Sequence, residues 1–116
     1  MPSDSGQFVL SNSSLSTINK DILPETFALH QNYPNPFNPI TSIRYDLPED
    51  GLVNITIYDM MGRIVKTLVN SSQTAGYKSI VWGTVDDRGH SVSAGLYIYS
   101  ITAGNYRANK KMILLK

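Results

Sequence analysis

Residues 31–39 read Gln-Asn-Tyr-Pro-Asn-Pro-Phe-Asn-Pro, which places three prolines among asparagines and two aromatics within nine positions. Each proline fixes its own φ and pushes the residue before it out of the helical region. Asparagine tolerates turn and left-handed backbone and can hydrogen-bond its own main chain. No helix can run through such a stretch. It reads as a stiff, extended-and-turned connector between strands, with Tyr33 and Phe37 free to anchor it on a core. The competing reading, a proline-rich ligand for an aromatic groove, is the weaker one for these residues.

The rest of the chain after about residue 22 reads as all-β, because no window sustains apolar residues at helical spacing with caps. Strand signals recur at intervals of about a dozen residues with turn residues between them. Phe27–Gln31 is a short strand before the proline segment. Thr41–Leu47 alternates, with Ile43, Tyr45 and Leu47 on one face. Leu52–Tyr58 alternates again, with Val53, Ile55 and Ile57 inward. Pro48-Glu-Asp-Gly51 between them is a turn, so an antiparallel hairpin is expected. Asp59-Met-Met-Gly-Arg63 is the next turn, with Gly62 as its positive-φ residue. Ile64–Val69 is a strand whose two faces are both partly apolar, and Asn70–Gly76 is a small-residue loop. Tyr77–Gly83 carries the single tryptophan, Trp82, in phase with Ile80. After a long loop over 84–95, Leu96–Ala103 places Tyr97, Tyr99 and Ile101 on one face, with Leu96 and Ile98 apolar on the other. Tyr106–Leu115 is the last strand. These strands predict an Ig-like β-sandwich of about seven antiparallel strands. Residues 1–22 are rich in Ser, Asn and Thr and read as a linker or the end of an upstream segment, with Phe8–Leu10 a candidate accessory strand.

The 116 residues fit one domain with one ordinary core. Net charge is +1 and no basic block stands out, which argues against a nucleic-acid or membrane-surface partner. Cysteine is absent, so disulfides and thiolate metal sites are excluded. No apolar run is long enough to span a bilayer. The first 22 residues lack the basic start and apolar centre of a secretory signal, so an exported protein would carry that signal further upstream.

Residue clusters that carry chemistry are thin. Asp86-Asp-Arg-Gly-His-Ser91 is the one candidate metal loop, but a calcium site wants more carboxylates at alternating positions, and Arg88 sits in its middle. A solvated turn is the better reading. His30 and His90 lie in no zinc or nucleophile motif, and no serine occupies a Gly-x-Ser-x-Gly elbow. Leu23-Pro-Glu-Thr26 starts like a sortase signal, but Phe27 follows where glycine is required. Asn12, Asn54 and Asn70 fit the short glycosylation pattern, which matches often by chance. Tyr58, Tyr77 and Tyr106 are candidates for a sugar platform, whereas the strand phases send Trp82, Tyr97 and Tyr99 toward the core. No catalytic set, cofactor site or metal site is expected, and the chain does not read as an enzyme.

The proline segment, followed by Thr41-Ser-Ile-Arg-Tyr45, Ile57-Tyr-Asp59, Gly62-Arg63, Gly95-Leu-Tyr97 and the closing Lys110-Lys-Met-Ile-Leu-Leu-Lys116, resembles the type A C-terminal sorting domain of the Bacteroidetes-type type IX secretion system. The resemblance spans roughly residues 23–116. By resemblance, Pro34, Asn35 and Pro36 match the opening signature, Gly62 and Arg63 the central turn, and Gly95 and Tyr97 the late Gly-x-Tyr. Lys110, Lys111, Met112, Ile113, Leu114, Leu115 and Lys116 match the terminal segment. The resemblance implies an exported cargo protein in transit through the periplasm. Its domain would be recognised by outer-membrane secretion components, then removed by a sortase-like peptidase, leaving the cargo at the cell surface or in the medium.

Met112–Leu115 is continuously apolar and would be a liability as an unpaired edge, yet the same property would let a partner add a strand; the equally weighted reading is that the run simply closes the sandwich, and the two are compatible. The flanking lysines would limit self-association, and a monomer is expected. The peptidase cut would fall in the linker before Leu23. The alternative is a structural or carbohydrate-binding Ig-like accessory module of a secreted protein, since fold alone does not fix function.

Overall fold

The computed structural model describes residues 23–116. The linker over 1–22, with its candidate strand Phe8–Leu10 and the pattern at Asn12, lies outside the described residues. Seven strands follow in order: β1 (Ala28–Leu29), β2 (Thr41–Leu47), β3 (Gly51–Tyr58), β4 (Ile64–Gln73), β5 (Gly76–Trp82), β6 (Gly95–Ala103) and β7 (Tyr106–Leu114). They form a three-stranded sheet, β1-β2-β5, and a four-stranded sheet, β4-β3-β6-β7, with every pairing antiparallel. This is the all-β sandwich that the alternating strands call for.

The core is built from the alternation itself. Ile43, Tyr45 and Leu47 of β2 face Val53, Ile55 and Ile57 of β3, and Tyr97, Tyr99 and Ile101 of β6 fill the centre; all are buried. A fully buried side chain of this kind contributes about 1.5–3 kcal/mol, so the shared interior is what holds the sheets face to face. Tyr45 adds a polar tie across it, donating from its hydroxyl to Gln73 Oε1 at 2.6 Å.

The expected hairpin of Thr41–Leu47 with Leu52–Tyr58 does not form. β2 pairs with β1 and β5, and β3 pairs with β4 and β6. The turn at Pro48–Asp50 carries the chain from one sheet to the other. Alternation reveals which side chains point inward, and both strands obey it, but two inward faces can meet across a core as well as lie side by side. Residues 70–73, expected as loop, extend β4 along the start of β3, with Gly51 opposite Gln73. Register shifts in the β3–β4 pair between Ile55 and Thr56 and between Ile57 and Tyr58 account for the mixed phase of β4. They let Val65 and Val69 enter the core while Leu68 packs against its border. The strand expected at Phe27–Gln31 is only two residues long, although His30 N continues its pairing to Arg44 O at 2.9 Å.

Truncation of Ile55, fully buried between β4 and β6, should lower unfolding free energy by about 2–5 kcal/mol as Ile55→Ala. Val81→Thr, on the outer face of β5, should stay within about 0.5 kcal/mol. Urea titration of both variants checks the assignment of faces.

Candidate functional site

The proline segment connects β1 to β2, but its main contacts are with the other sheet. Phe37 N donates to Ile113 O at 2.9 Å, and Leu115 N donates to Phe37 O at 2.9 Å. Ile113 N donates to the Asn35 side-chain oxygen at 2.9 Å. Gln31 Nε2 reaches Lys111 O at 2.7 Å. Together these occupy the outer edge of β7 from Lys111 to Leu115, with Phe37 in a parallel bridge to Leu114. The terminal run, expected either to close the sandwich or to stand as an edge for a partner strand, is therefore already laced along that edge. The prolines suit this job: they fix φ along the segment without offering N–H donors of their own.

The segment is anchored by an aromatic ring and a buried amide. Phe37 is buried and lies 5.9 Å from Trp82, which meets Tyr97 edge-on at 5.5 Å. That stack joins the segment, β5 and β6 at one end of the sandwich. Tyr33, expected to share the anchoring, instead points to solvent, 80% exposed. Its backbone pairs with Ser42 on β2, and strand alternation turns its ring to the outer face.

Asn32 takes the inward place. Its Nδ2 donates to Thr41 Oγ1 at 2.9 Å and to Pro34 O at 3.2 Å, and its Oδ1 accepts from Gln31 at 2.7 Å. Its backbone N–H donates to the Tyr99 hydroxyl at 2.8 Å, while that hydroxyl donates to His30 O at 2.7 Å. Burial pushes the Tyr99 phenol up to about 12, with the Asn32 N–H only partly offsetting it.

The same end of the sandwich holds the other signature residues. Asp59 organises the turn before β4: its Oδ1 accepts from Met61 N at 2.8 Å and Arg63 N at 3.0 Å, and its Oδ2 accepts from Arg63 Nε at 2.9 Å. Gly62 closes the turn with φ +82°, a left-handed value that glycine adopts without strain. The donated bonds, led by that from the Arg63 backbone, hold the Asp59 carboxyl below its ordinary pKa.

Asp86-Asp-Arg-Gly-His90 repeats this architecture. Asp86 Oδ1 accepts from Arg88 N and His90 N, each at 2.9 Å, and Gly89 has φ +84°. The His90 backbone bond leads the causes that lower the Asp86 pKa. Next to it, Asp87 seals the outer edge of β4: its N donates to Val65 O at 2.9 Å, and its Oδ1 accepts from Thr67 N at 3.1 Å. The carboxylates of this loop thus hold backbone, as a turn requires. Among the described residues no group of three His, Asp or Glu side chains could hold a metal.

A groove of about 580 Å³ runs between these turns and is lined by Met61, Arg63, Ile64, Gly95 and Tyr97, among others. Gly95 pairs with Leu114 and Tyr97 with Met112. The structure therefore gathers Pro34, Asn35, Pro36, Gly62, Arg63, Gly95, Tyr97 and the terminal strand at one end. Within that strand Met112 and Leu114 belong to the core, whereas Lys111, Ile113, Leu115 and Lys116 face solvent and Lys110 is half-buried. Gln31, Asn32 and Asp59 were not singled out from the sequence as site residues, yet together with Phe37, which was expected as an anchor, they hold the site together. The available signals were amides beside prolines and an aspartate three residues before a glycine. The three tyrosines considered for a sugar platform do not share a face. Tyr58 and Tyr77 lie on the outer sides of different sheets, and Tyr106 stacks on Phe27 at 5.2 Å.

Since Tyr99 keeps its proton to about pH 12 when folded but loses it near 10 when unfolded, the unfolded state binds fewer protons in between. Its contribution to stability is whole below pH 10 and falls by about 1.4 kcal/mol per pH unit from there to 12. Tyr99→Phe should remove this slope while costing about 1–3 kcal/mol at neutral pH by stranding Asn32 N–H and His30 C=O. Denaturant midpoints across alkaline pH test both.

The known proteins most informative about this arrangement agree in fold. PorU of Porphyromonas gingivalis, solved as a dimeric latent form, aligns over 79% of this chain with a TM-score of 0.62 and 21% identity, through 10% of its own length. PorZ of the same organism, described as an essential bacterial surface component of the type IX secretion system, aligns over 79% with a TM-score of 0.52 and 14% identity, through 12% of its length. The chain thus spans about a tenth of these proteins. No curated protein sequence matches it. The family described as the secretion system C-terminal sorting domain matches residues 31–115, from the proline segment through Leu115, so the chain belongs to the family of secretion system C-terminal sorting domains.

Proposed function

We propose that this sorting domain acts as an address for an exported cargo fused to it, carrying that cargo to the cell surface or medium through the outer-membrane type IX machinery. The observation that supports this most directly is the joining of the proline segment to the terminal strand through Asn35, Phe37 and Gln31. Two signature regions nearly 80 residues apart become one rigid surface (separations of 78 and 80 residues). A partner can then read several short motifs at once only in the folded domain. The proposal includes periplasmic transit, recognition by outer-membrane components, and removal by a sortase-like peptidase in the segment before Leu23, where an extended chain would be accessible. Because the carboxylates of the Asp59 and Asp86 turns are engaged by backbone N–H groups, the role favoured here is binding rather than catalysis.

The test fuses the chain behind a signal peptide and a reporter in a bacterium with a type IX system, beside an otherwise identical strain in which the system is disabled. The expected result is reporter at the surface or in the medium only in the first strain. Reporter held in the periplasm of both would refute the address and favour an Ig-like accessory module. Deleting Met112–Lys116 is a poor probe, because Met112 and Leu114 are core residues and their loss should destabilise the fold by about 2–5 kcal/mol each. Deleting only Leu115 and Lys116 spares both and should leave the circular dichroism spectrum unchanged.

A further inference from the structure

The outer face of the four-stranded sheet is apolar at the signature end. Backbone register sets Ile64, Tyr58 and Ile98 side by side across β4, β3 and β6. It also sets Leu96 beside Ile113 on β6 and β7. Their chain neighbours Val65, Ile57, Tyr97 and Met112 are buried, so alternation turns this group outward. The Met60–Met61 turn extends it, with Met61 79%, Ile64 62% and Ile113 42% exposed. The strip ends where Thr56 pairs with Thr67 and Ser100, and Ser100 with Asn109. On β7 the position opposite Ile98 is Lys111, so the row spans three strands and steps to the fourth through Leu96 and Ile113. Single exposed apolar residues are ordinary, but a contiguous patch over several strands marks an interaction surface.

Charge narrows the occupant. The four strands of this sheet contain no aspartate or glutamate. After Asp87 the chain has five basic residues, Arg88, Arg107, Lys110, Lys111 and Lys116, and no acidic one. Lys111 and Lys116 border the strip beside Ile113 and Leu115, whereas Arg63 beside Ile64 is already paired with Asp59, so the lysines are the cations that this border offers a partner. Strand addition is disfavoured at this end, because Asn35 and Phe37 hold the edge of β7 and Asp87 holds that of β4.

Resting on the address reading above, we propose that this face docks side chain to side chain on a protein of the secretion machinery, whose site is an apolar ridge bordered by carboxylates. The methionines give the contact an adaptable margin, and the lysines supply steering and register. A polyanion such as a surface glycolipid would match the lysines but would leave the apolar strip in water.

The fusion of the full chain in the type IX host tests this. Ile64→Asp and Ile113→Asp are compared with the double change Lys111→Glu and Lys116→Glu, and with Val81→Asp on the outer face of the other sheet. Ile64→Ser and Ile113→Ser serve as milder versions, and circular dichroism with thermal melts confirms folding of each. The expected result is a drop of about tenfold or more in exported reporter for the apolar and the lysine variants, with Val81→Asp unaffected. Parent export with normal export of the folded Ile64 and Ile113 variants would overturn the surface while leaving the address intact. A loss confined to the lysine variant would also overturn it, in favour of a polyanion. A parent fusion that is not exported at all would overturn both.

Discussion

The seam between the Gln31–Phe37 segment and the outer edge of β7 sets the character of this fold. Its hydrogen bonds use one side-chain amide at each of Gln31 and Asn35 and both backbone groups of Phe37. A sandwich of two open sheets presents four edges, each able to recruit a foreign strand. Here the edge formed by the last strand is occupied over Lys111–Leu115. The other edge of the same sheet is occupied at Val65 and Thr67 by Asp87. The larger sheet is thus closed on both sides at the end where the signature residues gather. What it still offers a partner there is its face.

The seam also explains the buried polar network behind it. A segment laid across the mouth of a sandwich must satisfy its own backbone groups while covering apolar rings. Asn32 and Tyr99 meet that requirement jointly: the amide holds Pro34 O and Thr41, and the phenol bridges His30 O and Asn32 N–H. A fully satisfied network of this kind restricts the segment to one arrangement. Phe37, Trp82 and Tyr97 supply the apolar half of the same anchoring.

Much of this was legible in the sequence, for reasons that particular residues make plain. Strand count and inward faces followed from alternation, and Ile43, Ile55, Trp82 and Tyr99 are buried as it requires. Turns with a required positive φ were legible at Gly62, because few residues other than glycine adopt +82° at little cost. Pairing was not legible between β2 and β3, since a short turn serves a hairpin and a sheet-to-sheet step equally well. Tyr33 and Phe37 looked alike as anchors and, four residues apart, would share a face in a regular strand; what separates them is their pairing, Tyr33 with Ser42 on one sheet and Phe37 with Leu114 on the other. The terminal run Met112–Leu115 looked uniformly apolar, and its division into core and surface residues became visible once register with β6 was known. The site residues matched by family resemblance do lie together, but the amides that hold them there were hidden among common polar residues.

The seam has a temporal side as well. It joins a segment near residue 31 to residues 111–115, so a growing or threading chain can make almost every hairpin contact of the larger sheet before the seam becomes possible. A polypeptide broken off before Lys111 would own the proline segment, the Asp59 turn and the Gly95–Tyr97 strand, yet it could never bring the first of these to its resting place. The finished surface therefore certifies that synthesis ran to the last strand, and an interrupted product carries the words of the label without its shape.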